Sequence, residues 1–364
     1  MSTPPEAPES RAGAGDGSGR DSSGRGRSDR PRRWWVRPFF QGFVVTLVVL
    51  VVAAGVTGVL LYRHYDHNIK RINHVFAQTG TTKARPRKVA TGAENFLLVG
   101  TDVRTGGRLT TGSSGIAAPH ASQRSDTIMI VHLSKGRKAA YVVSIPRDSW
   151  VPIPGHGSAK INAAFAYGGP ALLRETVEQL TGVHIDHYME IDFEGFRRMT
   201  DAVGGVNIDV PADSYDSARN KQWHAGWQHM DGKDALLYVR QRYGLPNGDL
   251  DRVKHQHQYL DAMMAKVRSQ GVLGNPVRLT SFLDAFTKSV SVDSGLSGSN
   301  LRNLARSLAG LHRNDVHFMT APYTGFGHVD GQSVVVLNPS KDHALWRAII
   351  NDKMQPYAVP ATAG

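Results

Sequence analysis

Asn95-Phe96-Leu97-Leu98-Val99-Gly100-Thr101-Asp102 is the stretch on which the fold turns. A short apolar run stops at a glycine and presents a carboxylate, which reads as a buried strand with polar chemistry at its end. Strand ends are where α/β sheets hold ligands, although an aspartate there is also ordinary turn chemistry. Two more apolar, β-branched runs follow at 127–133 and 140–145, joined by a hairpin turn over 134–138. Beyond them, helical spacing over 171–180 ends at Gly182. A strand at 188–191 leads to a helix over 193–203, closed by Gly204-Gly205, and to a strand at 206–210. Helices are expected over 231–239, 250–267, 281–290 and 301–311, then strands at 316–320 and 334–337 and a last helix over 342–351. This alternation predicts a mixed sheet with helices packed on it.

The chain has 364 residues with 43 Lys+Arg, 31 Asp+Glu and no cysteine. The absence of cysteine excludes disulfide frameworks, Cys-ligated zinc, Cys nucleophiles and iron–sulfur clusters. The net charge of +12 invites a nucleic-acid reading, but residues 1–89 hold 15 basic and 6 acidic side chains, leaving only +3 for residues 90–364. The globular part is therefore nearly balanced and offers no large basic footprint, so no nucleic-acid partner is expected.

The N-terminal segment reads as tail, span and stalk. Residues 1–42 begin in Gly, Ser, Pro and Arg without apolar period, the composition of a disordered tail. Residues 43–62, FVVTLVVLVVAAGVTGVLLY, carry no charge over 20 positions. That is enough to cross ~30 Å of hydrocarbon, and longer than the ~7–15 apolar residues of a signal peptide. Arg25, Arg27, Arg30, Arg32, Arg33 and Arg37 precede it, against Arg63, Lys70 and Arg71 behind. The bias places the N-terminus in the cytoplasm and the rest outside, a single-pass protein of the cytoplasmic membrane. Residues 63–91 are expected to be a stalk, its basic run Lys83 to Lys88 a solvated linker in preference to a segment lying near an anionic surface.

Four clusters can carry chemistry. Asp102 and Asp126 flank one long Gly/Thr/Ser-rich loop, and paired Asp oxygens suit Mg²⁺, which keeps waters and shares phosphate ligands; surface salt bridges are the alternative. Arg124-Ser-Asp-Thr127 and Ser144-Ile-Pro-Arg-Asp148 sit at strand ends, the latter followed by Lys160-Ile-Asn162. Tyr238-Val-Arg-Gln-Arg242 precedes Gly248-Asp-Leu-Asp-Arg252 and Gln256. Arg252, Gln256 and Tyr259 share one helical face. Guanidinium forks match phosphate oxygens bidentately, so Arg124, Arg147, Arg240, Arg242 and Arg252 point to an anionic ligand, or individually to pairing with nearby aspartates. His255-x-His257 directs its rings to opposite sides of a helix and is no zinc pair.

Taken together, NFLLVGTD, RSDT, SIPRD, KINAAFAYGGP, HYMEIDFEGFRRMTDAVGGVNIDVP, ALLYVRQR and GDLDR with Gln256 resemble the LytR-CpsA-Psr family of envelope phosphotransferases, in the family's order. The resemblance implies a mixed central sheet sandwiched by helices, a catalytic domain over 92–325, and residues 326–364 completing it with a short tail. An additional C-terminal domain found in some members is not expected. It implies transfer of a glycopolymer with its phosphate from an undecaprenyl-diphosphate-linked donor onto peptidoglycan, at the muramic acid C6 hydroxyl. By that resemblance Asp102 and Asp126 hold Mg²⁺ (or Mn²⁺), and Arg124, Arg147, Arg240, Arg242, Arg252 and Gln256 bind the diphosphate. Asp126, Arg147, Asp148, Lys160 and Asp249 form the catalytic set. His255 stands where many members carry arginine, and is expected to make an accessory phosphate contact pH-dependent. A polyprenyl tail is expected in an apolar tunnel around Phe165, Leu180, Phe196 and Leu260. A pyrophosphatase or a non-catalytic binder of the lipid-linked polymer would carry the same motifs. A transcriptional regulator is opposed by the charge distribution.

Overall fold

In chain order the first elements are β1 (Lys70–Ile72), β2 (Glu94–Thr101), β3 (Ser125–Leu133), β4 (Ala140–Ser144), the hairpin β5 (Trp150–Ile153) and β6 (Gly157–Lys160), and α1 (Asn162–Thr181). Then come β7 (His187–Asp192), α2 (Phe193–Ala202), β8 (Val206–Val210), β9 (Ser214–Asp216), β10 (Lys221–Trp223), β11 (Gly226–Met230), α3 (Gly232–Val239) and α4 (Asp249–Ser269). The last are α5 (Pro276–Ser289), β12 (Val290–Asp293), β13 (Val316–Thr320), β14 (Tyr323–Val329), β15 (Gln332–Leu337) and α6 (Pro339–Ile350). This computed structural model describes residues 68–77, 79, 84–102, 125–269, 275–298, 300–301, 304 and 310–358. The expected tail, the expected span at 43–62, the expected loop at 103–123, Arg124, and much of the helix expected at 301–311 lie outside them. Among the described residues no helix is long and apolar enough to cross a membrane.

The NFLLV run becomes β2, near the middle of a seven-stranded sheet ordered β1-β12-β7-β2-β3-β4-β13. It pairs antiparallel with β3 and parallel with β7, so the sheet is mixed. Alternation sends Leu97, Val99, Ile128, Ile130, Tyr141 and Val143 to one face, where α1 and α6 cover them with Leu173, Val177, Leu345, Trp346 and Ile349. Phe96, Leu133 and Ala140 point to the other, with Met199 of α2 and Val290 and Val292 of β12. A smaller core under α3 and α4 gathers Val206, Ile208, Trp223, Tyr238 and Tyr259.

Local chemistry sets the helix ends. Gly169 takes φ +63° just before Pro170, which breaks α1 there and restarts it with proline in the first turn. Gly182 ends it in the left-handed conformation, its N–H donating to the Glu178 carbonyl at 2.9 Å. Asp192 caps α2 by accepting from the Gly195 N–H at 2.6 Å.

Two expectations change. The helix expected at 281–290 ends at Ser289, and Val290 begins an inner strand, β12. The described part of the stalk expected at 63–91 is not free: β1 lies in the main sheet, pairing in parallel with β12. Arg174, buried on α1, donates to the carbonyls of Val75 at 3.3 Å and Ala77 at 2.9 Å. Arg85 forks onto Glu178 at 2.6 and 3.1 Å, and Lys88 pairs with Asp186. Arg85 and Lys88 of the basic run are thus tied down by anionic partners about a hundred residues away, on and just after α1.

Candidate active site

Asp126 owes its position to a bulge. Gly100 pairs with Thr127 and Thr101 with Ser125, which leaves Asp126 as the extra residue of β3. A bulge bends its strand and re-aims one side chain. Asp126 here meets Arg147 in a direct ion pair and lies 4.0 Å from Arg240, whose Nη2 is 3.8 Å from Asp102 at the end of β2. Arg147 and Asp148 occupy a turn after β4, closed by the Ser149 N–H donating to the Pro146 carbonyl at 3.0 Å. Asp148 collects Arg242 at 3.3 Å and Lys160 at 3.6 Å, the latter from the end of β6.

Asp249 opens α4 and is buried. Arg252, one turn on, approaches it at 2.6 Å, and Arg147 and Arg242 lie at 3.6 Å. Burial pushes the Asp249 carboxyl up and the Arg252 guanidinium down, to about 10, with each opposed by the other's charge. Arg252 also donates to the Asp126 carbonyl at 3.2 Å. The Nε groups of Arg147 and Arg252 are buried without an aligned acceptor.

Ten of the expected site residues therefore form one cluster or line its edge: Asp102, Asp126, Arg147, Asp148, Lys160, Arg240, Arg242, Asp249, Arg252 and Gln256. Arg124 lies outside the described residues. His255 is not part of the cluster. It stacks on the Tyr238 ring at 3.9 Å and its Nδ1 contacts the Tyr238 carbonyl at 3.1 Å. Burial lowers its pKa to about 4, so it is neutral at physiological pH and makes no switchable phosphate contact. Its helical position turns it toward α3, which a motif alignment does not show.

Beside the cluster lies an apolar cavity of about 830 Å³, its open end included. The sheet supplies Leu98, Met129 and Ile191, and the helices supply Phe193, Phe196, Leu236, Tyr259, Leu260 and Met263. Asp126, Arg240, Arg252 and Gln256 line the same cavity where it meets the charged cluster. Of the four residues expected around a tunnel, Phe196 and Leu260 face it. Phe165 is buried in the core on the opposite face of the sheet and Leu180 packs against that core. Their apolar period was legible, but only the pairing order of the strands decides which face a helix covers. Phe193 was missed altogether. It is the first residue after the strand end of β7, and its ring lies 3.9 Å under the Arg240 Cζ.

Asp102 and Asp126 offer hard carboxylate oxygens at the ends of neighbouring strands, a donor set that suits a small divalent cation completed by water and phosphate oxygens. Among the described residues no group of three or more His, Asp or Glu side chains could hold a metal unaided.

The LytR_cpsA_psr family model matches residues 59–349. LcpA of Corynebacterium glutamicum, a cell wall biosynthesis protein, is 31% identical over 348 residues, covering 86% of this chain and 66% of that one. LcpB of the same organism is 37% identical over 286 residues, covering 77% of this chain and 65% of its own. The chain thus spans just under two thirds of the length of these two relatives. A polyisoprenyl-teichoic acid–peptidoglycan teichoic acid transferase, TagU of Enterococcus faecalis, is 30% identical over 257 residues, covering 68% of this chain and 78% of that one. The solved structure of TagT bound to LIIa-WTA superposes with TM-score 0.57 at 26% identity, covering 76% of this chain and 98% of that one.

Proposed function

The chain belongs to the LytR-CpsA-Psr family, and on that premise we propose that it transfers a glycopolymer with its phosphate from an undecaprenyl-diphosphate-linked donor to the C6 hydroxyl of muramic acid in peptidoglycan. The observation that carries the reading is the junction of an apolar cavity with a cluster of arginines and aspartates. A ligand complementary to both halves is an amphiphile with an anionic head and a long hydrocarbon tail. The teichoic acid transferases among the relatives act on such a donor by name.

With the tail in the cavity, Arg240 and Arg252 at its edge meet the lipid-side phosphate, and Arg147 and Arg242 the glycan-side phosphate. The acceptor oxygen forms a bond to the glycan-side phosphorus. The bond from that phosphorus to the bridging oxygen breaks, and undecaprenyl phosphate leaves. The acceptor's proton passes to a carboxylate of the cluster, which holds Asp148 and Asp249 within reach of Lys160 and three arginines. The buried Nε groups of Arg147 and Arg252 gain acceptors when phosphate oxygens arrive. Catalysis of this kind is positioning and charge stabilisation. Asp102 and Asp126 would hold Mg²⁺ (or Mn²⁺), which supplies charge neutralisation at the diphosphate when bound. An anchor at 43–62 with the catalytic domain outside, as the charge bias around that run suggests, would suit a donor whose head is presented at the outer membrane face.

The test incubates the protein with lipid-linked glycans and peptidoglycan and reads the products by mass spectrometry. A polymer–muramyl phosphodiester is the expected product. Free phosphorylated polymer would make it a pyrophosphatase, and no product despite binding would make it a carrier.

A further inference from the structure

Arg240 is held differently from its neighbours. Arg147 forms a direct ion pair with Asp126, and Arg252 sits 2.6 Å from Asp249. The carboxylates nearest Arg240 are Asp102 at 3.8 Å and Asp126 at 4.0 Å, beyond hydrogen-bond reach. The Phe193 ring lies against it, with the ring centroid 3.9 Å from Cζ. A guanidinium carbon that near a centroid lies over the ring face, and all five N–H bonds lie in the guanidinium plane. No carboxylate lies within hydrogen-bond distance of this guanidinium, so an arriving phosphate oxygen displaces no carboxylate hydrogen bond.

Phe193 is itself held firmly. It opens α2, whose first turn is capped by Asp192. Gly195 brings this turn against α5, where an added Cβ would stand 2.6 Å from the Ser289 carbonyl oxygen. Arg147 shares the Asp126 carboxylate with Arg240, so Arg240 has a cationic neighbour. A cation with a cationic neighbour and no hydrogen-bonded carboxylate would swing toward water unless something held it.

We propose that Phe193 is a positioning residue, whose ring face parks the Arg240 guanidinium at the edge of the apolar cavity with its N–H donors free for a lipid-side phosphate. The inference rests on the diphosphate-lipid reading of this site and deepens it: the ring serves the phosphate through Arg240, and is more than one wall of the hydrocarbon chamber.

The experiment measures binding of two probes of equal chain length, geranylgeranyl diphosphate and geranylgeraniol, to the full chain in detergent. Phe193→Leu keeps apolar bulk and removes the π face. It is expected to weaken the diphosphate about 3- to 30-fold, the range of a partly desolvated cation–π contact. The alcohol should change by less than about twofold, since the buried apolar area is nearly kept. Phe193→Trp should restore diphosphate affinity, and Phe193→Leu should have no further effect in an Arg240→Ala background. Equal losses for both probes, no rescue by tryptophan, or an undiminished loss without Arg240 would each overturn the positioning role while leaving the functional reading intact. Wild-type protein that binds neither probe would overturn the functional reading, and this inference with it. Melting curves of each variant identify any loss that comes from unfolding.

Discussion

Replacing Arg252 and Arg240 separately should divide stability from ligand binding. The Arg252 and Asp249 side chains are 4% and 5% exposed and approach to 2.6 Å. Removing one partner of a buried pair costs ~3–5 kcal/mol. Arg147 and Arg242 remain at 3.6 Å from the same carboxylate and offset part of that, so Arg252→Met should cost about 3 kcal/mol. At ~2–4 °C per kcal/mol, its Tm should fall by about 6–12 °C. Arg240 is 28% exposed and its ion-pair distances are 3.8 and 4.0 Å, so those contacts are worth about 0–1 kcal/mol. With the Phe193 ring contact worth about 0.5–1 kcal/mol more, Arg240→Ala should lower Tm by about 1–8 °C, less than Arg252→Met. Its effect on a prenyl diphosphate should be large, about 10- to 150-fold, because a charge-assisted bond to phosphate is lost. Differential scanning calorimetry and binding titrations on the same purified variants decide the matter. If Arg240→Ala melts as low as Arg252→Met with unchanged diphosphate affinity, Arg240 is a structural residue and the reasoning fails.

Three further outcomes follow from buried charge elsewhere. Glu190 accepts hydrogen bonds from Tyr188 and Thr101, and burial raises its pKa from 4.5 to about 7. The folded state then holds a proton that the unfolded state releases between those values, so stability present below pH 4.5 is lost as pH rises toward 7; Glu190→Gln should flatten this slope and melt higher than wild type at pH 8. His255 works in the opposite sense: its pKa is lowered by burial from 6.5 to about 4, so stability is lost as pH falls through that window. In melts at pH 7.5 and pH 5, His255→Gln should lose less than wild type on acidification, and diphosphate binding between pH 6 and 8 should not respond to the substitution. Glu178 joins Arg174 and Arg85, and burial raises its pKa while the two arginines hold it below the ordinary range. Glu178→Ala strands Arg174, should cost ~3–5 kcal/mol, and should open residues 84–88 to limited proteolysis, whereas a variant with wild-type Tm would deny the segment any part in the domain.

Much of the site was legible because its residues sit at ends of elements that local pattern reveals. SIPRD follows an apolar strand and is found in the turn after β4; GDLDR opens a helix, and Arg252, Gln256 and Tyr259 do share the face toward the cavity. The small strands were not legible: β9 and β10 have three residues each, too few to show a period. Phe193 was hidden for another reason. An aromatic at a helix start reads as core, and its role exists only because Arg240, from the end of α3, lies over it.

The sequence by itself determined the alternation of strands and helices, the residue types able to bind phosphate, and the separation of a basic N-terminal segment from a nearly neutral domain. These depend on neighbours within a few turns, or on composition alone. Only the tertiary structure decided that β1 belongs to the sheet, that a bulge turns Asp126 toward Arg147, that His255 faces Tyr238, and that Phe165 lies behind the sheet while Phe196 lines the cavity. Each of those depends on strand order or on a contact between residues far apart in the chain. Such contacts are chosen by how whole faces bury against one another, and no local period encodes that choice.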